Sequence, residues 1–294
     1  MPDQQKAPDP GKASLFSGTT AALLAVLAAG FFLAYFPVWK RLVATWLSSE
    51  EYSHGFFMVP ACAYIVWKQR AALAHVPLRP SNLGLALSLF FLVAYLVADF
   101  AEILTLSSLS MVFFLAGAIA CLYGFPMLRA LKFPLFLLLF MIPVPAQIQS
   151  ELTIVLQLFV TKASVWVSAL IGVPVYREGN VIHLPGHTLQ VVQACSGLRS
   201  LFPLMALAAL FGYLSLKSNV LRAILLFAAA PTAVVVNIVR VLTLIIAFYY
   251  YEVDLSDGSI HTLLGTLVFI LGVLILAAVK VLLDRFDKKD IRQD

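Results

Sequence analysis

Long apolar runs separated by short polar stretches recur along nearly the whole chain. A hydrocarbon core about 30 Å thick calls for roughly 20 apolar residues in helical conformation. Read with that rule, the pattern predicts eight spans at about 17–38, 54–67, 83–101, 105–124, 131–144, 197–215, 220–250 and 261–283. The second and fifth are short. The seventh is overlong and carries Pro231 near its middle, where the missing N–H predicts a kink or a break. Residues 1–14 are polar and rich in Pro, Asp and Lys, which predicts a disordered tail. Residues 15–285 then form one membrane domain, and 286–294 a second polar tail. The first apolar run is too long for a signal-peptide core and is read as a retained helix.

One segment breaks the pattern. Between residues 145 and 196, Gln147 to Leu170 repeats apolar residues at helical spacing, with Gln149, Glu151, Gln157 and Lys162 between them. This predicts an amphipathic helix lying in the interface or across the mouth of the bundle. Val173 to Val192 alternates β-branched and polar residues around Gly179-Asn180 and Pro185-Gly186, which predicts a small β-hairpin.

Composition agrees with the bilayer as solvent. The chain has 294 residues, 62% of them hydrophobic and 12% charged, with a mean hydropathy of +0.95. Its net charge of +5 comes from juxtamembrane Lys and Arg, not from a basic face, so nucleic acid is excluded as a partner. With the N-terminus placed inside, fourteen Lys and Arg fall on cytoplasmic segments. Six remain outside: Lys40, Arg41, Lys162, Arg177, Arg199 and Arg240. The fold class is therefore an all-α polytopic membrane protein of about eight transmembrane helices. Both termini are inside, and the amphipathic helix and hairpin lie on the outer face.

Three polar residues are costly to keep in such a chain, and topology places all of them at the outer mouth. Cys195 stands where an extended segment turns into the sixth span, and a helix N-terminus favours the thiolate. The N–H groups of Ser196 and Gly197 are positioned to hold an oxyanion, Gly197 permits close approach, and Arg199 adds positive charge one turn along. Arg240, in Asn237-Ile238-Val239-Arg240, must be paired, hydrated or functional. His261 opens the last span, and an imidazole with an ordinary pKa near 6.5 can take and return a proton. A nucleophile, a base and a stabiliser fit acyl transfer. Taken singly, each has a plainer reading: a small filler, a snorkelling Arg or one paired to Glu252 or Asp254, and a capping His.

Other residues compete. His54 is an alternative base or a substrate contact, and Glu50-Glu51 reads as a solvated loop face. His183 and His187 sit four apart on a turn-broken hairpin, a poor metal motif; no metal or cofactor is expected. Cys62 and Cys121 lie in apolar runs without CxxC spacing and read as buried fillers.

At Ala194-Cys195-Ser196-Gly197-Leu198-Arg199-Ser200, Asn237-Ile238-Val239-Arg240 and His261, the chain resembles the exosortase/archaeosortase family of membrane cysteine transpeptidases. Ser53-His54-Gly55, Gly172-Val173-Pro174-Val175, Gly179 and Leu184-Pro185 also resemble it, over about residues 50–280. The resemblance implies that Cys195, Arg240 and His261 are catalytic. It implies substrates that are membrane-anchored exported proteins with a C-terminal sorting signal: a Pro-Glu-Pro-like motif, a hydrophobic helix and a basic tail. Cleavage would occur at the outer face of the inner membrane, often in bacteria that make exopolysaccharide. Arg177, Arg199 and Arg41 are the candidates to pair with the acidic residue of the signal. Membrane lipid is the other expected partner. A transporter or a non-catalytic polysaccharide-assembly component, binding through Arg240 and His261, is the competing reading.

Overall fold

The computed structural model describes residues 18–191, 197–253, 255 and 258–290. Each of the eight expected spans is helical, but their lengths differ from expectation. The first is a bent pair, α1 (Gly18–Ala34) and α2 (Phe36–Ser48), turning by 64°. Pro37 lies in the first turn of α2 and lacks the N–H that would carry α1 onward. The second is α3 (Gly55–Lys68), followed by the single turn α4 (Arg70–Leu73). At 1.5 Å per residue, 14 residues rise about 21 Å, short of a full crossing.

Two long helices follow, α5 (Asn82–Phe100) and α6 (Leu104–Leu122), then the short α7 (Phe125–Ala130) and α8 (Lys132–Leu138), which runs into a 3-10 turn at Leu139–Met141. The short α8 and α3 pack together, and the Cys62 thiol reaches the Pro134 carbonyl at 3.2 Å. Cys62 is buried and Cys121 half-buried, both as free thiols.

The amphipathic segment is α9 (Ala146–Leu170), long and apolar enough by itself to cross a membrane. Its contacts reach both the turn before α3 and the sheet. Gln149 meets Tyr52 just before α3, and Val160 packs with Val173 and Ile182 beyond its far end. Burial pushes the Tyr52 phenol up from its ordinary pKa, so it stays protonated, accepts from the Val144 N–H and donates to Gln149.

The expected hairpin is a three-stranded antiparallel sheet: β1 (Tyr176–Glu178), β2 (Val181–Leu184) and β3 (His187–Gln190), in the order β1-β2-β3. The Gly179-Asn180 and Pro185-Gly186 turns both serve, and their glycines adopt φ of +61° and +76°. Glu178 pairs with Val181, and Leu184 with His187, across those turns. The third strand exists because the alternation continues past Gly186 to Leu189 and Val191, both buried.

Three helices complete the chain: α10 (Leu198–Ser215), α11 (Asn219–Tyr251) and α12 (Gly258–Asp290). The expected break at Pro231 is absent; α11 runs unbroken through its 33 residues, and the Thr232 hydroxyl donates to the Ala228 carbonyl at 2.7 Å. α12 extends past the expected end at 283. The Asp287 carboxylate there accepts the Lys217 and Ser218 N–H groups at 2.7 and 3.1 Å, capping the start of α11.

Side chains bury in three clusters: one among α1–α3, α5, α6 and α8, one among α10–α12, and one joining the sheet to α9 and the C-terminal part of α11. Outside them large apolar side chains face outward, Phe100 at 92% exposure and Leu274 at 61%, as a lipid-facing surface requires. This is an all-α, multi-pass membrane protein carrying a small sheet at one end.

Candidate active site

Among the described residues Arg240 is the most deeply placed charge at the sheet-bearing end, 4% exposed on α11. Its Nη2 lies 2.6 Å from Nε2 of His261 on α12. A guanidinium carries only donors, so Nε2 must accept and the imidazole proton must sit on Nδ1. The other side of the ring agrees: Nδ1 faces the Leu255 carbonyl at 3.3 Å and donates to it. His261 is thus held as the neutral tautomer with its lone pair aimed at Arg240.

Gly265 follows His261 by one turn and makes room for this pair. A Cβ built there would lie 3.4 Å from Nη2 of Arg240. Asn237, one turn before Arg240, is 3% exposed and packs against Gly197, where a Cβ would meet its side chain at 3.3–3.4 Å. Gly197 has a φ of +85° and caps α10, its carbonyl accepting the N–H groups of Ser200 and Leu201. Only glycine takes that backbone shape without strain.

The chain reaches this point from the sheet. Val191 and Asn180 exchange two hydrogen bonds, N–H to carbonyl at 2.9 Å and side-chain amide to carbonyl at 3.1 Å. Ile182, Leu184 and Leu189 pack on Val241, Leu244 and Ile245 of α11, directly beyond Arg240. Both flanks of the expected nucleophile are therefore fixed to the helix that carries the guanidinium. Cys195 and Ser196 themselves lie outside the described residues.

A cavity of about 500 Å³ opens between α3, α10, α11 and α12. Its polar lining is Glu50, Ser53, His54, Arg199, Ser200, Arg240 and Thr266; the remainder is apolar, with Phe57, Pro203 and Phe269 among the walls. Arg199 does not stand as an unpaired charge at the mouth: it is ion-paired with Glu50. The loop carboxylate read as merely solvated is thus a component of this site. Sequence spacing could not reveal the pairing, because the two residues are 149 positions apart. Gly265 was within reach, since its spacing from His261 puts both on one helical face.

The remaining candidates separate. His54 lines the cavity, and its Nε2 donates to the Phe140 carbonyl at 2.9 Å, tying the start of α3 to the turn after α8. Arg41 is ion-paired with Asp99, away from the residues that line the cavity. Arg177 is exposed on β1 and donates to the Gly179 carbonyl at 3.2 Å. His183 stacks on Tyr176 and faces Glu178, while His187 stacks on Phe248.

A family model described as transmembrane exosortase matches residues 46–278, which take in the cavity, both glycines and the Arg240–His261 pair. The chain belongs to the exosortase family. No curated protein and no solved structure matches it. Membership brings with it membrane-bound substrates that carry sorting signals, and the matched region contains every residue that lines the cavity.

Proposed function

We propose that this exosortase-family chain is a membrane cysteine protease/transpeptidase that cleaves C-terminal sorting signals of exported proteins through a Cys195 acyl-enzyme. The observation that carries the reading is the Arg240–His261 contact at 2.6 Å, one helical turn along α11 from the Asn237 side chain that packs against Gly197. Cys195 stands two positions before Gly197 in the sequence.

The tautomer suggests how the three act together. The Cys195 thiol proton passes to Nε2 of His261, the one nitrogen with a lone pair. An imidazolium can no longer accept from Arg240, so proton transfer releases a guanidinium donor just as negative charge develops. The thiolate sulfur adds to the scissile carbonyl carbon, and Arg240 with nearby backbone N–H groups holds the oxyanion. Collapse breaks the C–N bond, the leaving amine takes the proton from Nε2, and a thioester to Cys195 remains. A nucleophile then releases the acyl group.

The substrate's apolar helix fits the apolar walls of the cavity, and its acidic Pro-Glu-Pro-type residue fits Arg199. A partly exposed ion pair such as Arg199–Glu50 contributes only about 0–1 kcal/mol, so a substrate carboxylate can exchange with Glu50. The asymmetry of Lys and Arg supports an active site facing the periplasm, in a bacterial inner membrane with both termini inside. Co-expression with a membrane-anchored reporter bearing such a signal tests the reading. Processing by the wild type should disappear in Cys195→Ala at equal membrane insertion, and undiminished processing in that variant would end the proposal.

A further inference from the structure

The opposite end of α11 has a second cavity, of about 360 Å³, between α8, α10 and the start of α11. From Arg222 to Arg240 is 18 residues, about 27 Å of helix, so this cavity stands roughly a bilayer's core away from the candidate active site. Two cations occupy its lip, Lys132 at the first position of α8 and Arg222 in the first turn of α11. Among the described residues no carboxylate lines it.

The Arg222 guanidinium is fixed in place. Nε donates to the Leu216 carbonyl at 2.9 Å, Nη1 donates to Asn219 Oδ1 at 3.1 Å, and its carbon sits 5.2 Å above the Tyr213 ring. Tyr213 is itself held, stacked on Phe133 at 3.7 Å and accepting a hydrogen bond from Gln69. Those two bonds leave Nη2 uncommitted among the described residues. Lys132 is exposed and has no acidic or hydrogen-bonding partner among them.

Below the two cations the walls turn apolar: Ala209 and Ala223 give the groove depth, and Phe136 and Leu226 flank it. Phe136 is 39% exposed, and the adjoining Ile224 and Phe227 are exposed at 46% and 72%, so the groove lies open on the lipid-facing surface. Arg79, Arg129 and Lys217 belong to chain segments at the same end. A preorganised guanidinium and an unpaired ammonium above an apolar slot complement one chemistry: a phosphate with an acyl chain attached.

We propose that the groove between α8, α10 and α11 is a binding site for an acidic phospholipid, its phosphate between Lys132 and Arg222 and an acyl chain against Ala209, Ala223 and Leu226. The site is independent of the acyl-transfer reading. It gives an anionic partner to Lys132 and to Nη2 of Arg222, neither of which meets a carboxylate among the described residues, the Asp287 carboxylate being committed to the Lys217 and Ser218 N–H groups.

The test is a titration of the full chain in detergent, followed by native mass spectrometry, with phosphatidylglycerol and phosphatidylcholine as probes. Each surface cation is worth about fivefold in affinity for anionic lipid. The wild type should therefore prefer phosphatidylglycerol by at least about fivefold. Lys132→Gln should lose about fivefold for phosphatidylglycerol and leave phosphatidylcholine unchanged. Ala223→Leu, which fills the slot without touching charge, should weaken the bound lipid severalfold. Inorganic phosphate should not displace it. Wild-type preference retained in both variants, or displacement by inorganic phosphate alone, would overturn the site.

Discussion

Two of the contacts of His261, to Arg240 and to the Leu255 carbonyl, together fix one proton, and that constraint yields the sharpest residue-level expectations. Replacing it with Gln keeps an acceptor for Arg240 but no proton acceptor for a thiol. His261→Gln should insert and fold as the wild type does, yet lose about 10²–10⁴-fold in reporter processing rate; equal rates would remove His261 as the base. Gly265 offers a separate probe, because a larger side chain there must push on Nη2 of Arg240. Gly265→Val should lower the turnover number by about tenfold or more with KM little changed, measured on a solubilised signal peptide; a change confined to KM would assign Gly265 to substrate binding instead. Arg240 and His261 were legible in the sequence because a charge or an imidazole in apolar surroundings demands a reason. Glu50 was not, since a carboxylate in a polar loop demands none, and only the fold brings it to Arg199.

The sheet and α9 are built to hold one strand of chain against α11. Ile182 is fully buried there, and Asn180 ties Val191 to the first turn through two hydrogen bonds. Asn180→Ala should leave overall thermal stability within about 1 kcal/mol, since a single hydrogen bond contributes about that much, but slow processing severalfold by loosening the approach to residue 195. Matching losses of stability and rate would reduce Asn180 to a structural residue. At this scale period-2 alternation and turn glycines foretold strands, while a single hairpin undercounted them, since two tight turns join three strands. Of the kink or break expected at Pro231, the break is absent: α11 continues through the proline, with Ala229, Thr232 and Ala233 buried around it.

Across the whole molecule, the two ends of the bundle differ in kind: one bears the sheet, Arg240 and His261, the other most of the Lys and Arg. Hydropathy made the helices readable, because every backbone group within a membrane must be bonded internally. It could not fix which ones cross fully, since α3 and α8 are short and α9 is long. Sidedness can be measured by cysteine labelling in intact cells. Glu178→Cys should react with a membrane-impermeant maleimide, and Lys217→Cys only after permeabilisation; the reverse pattern would invert the topology. The most direct test of the central claim is mass spectrometry of the chain trapped during turnover with a reporter signal peptide. The account predicts a hydroxylamine-labile acyl adduct on the peptide containing Cys195, abolished in Arg240→Ala and His261→Ala. Processing without any such adduct, or an adduct mapped to another residue, would contradict it.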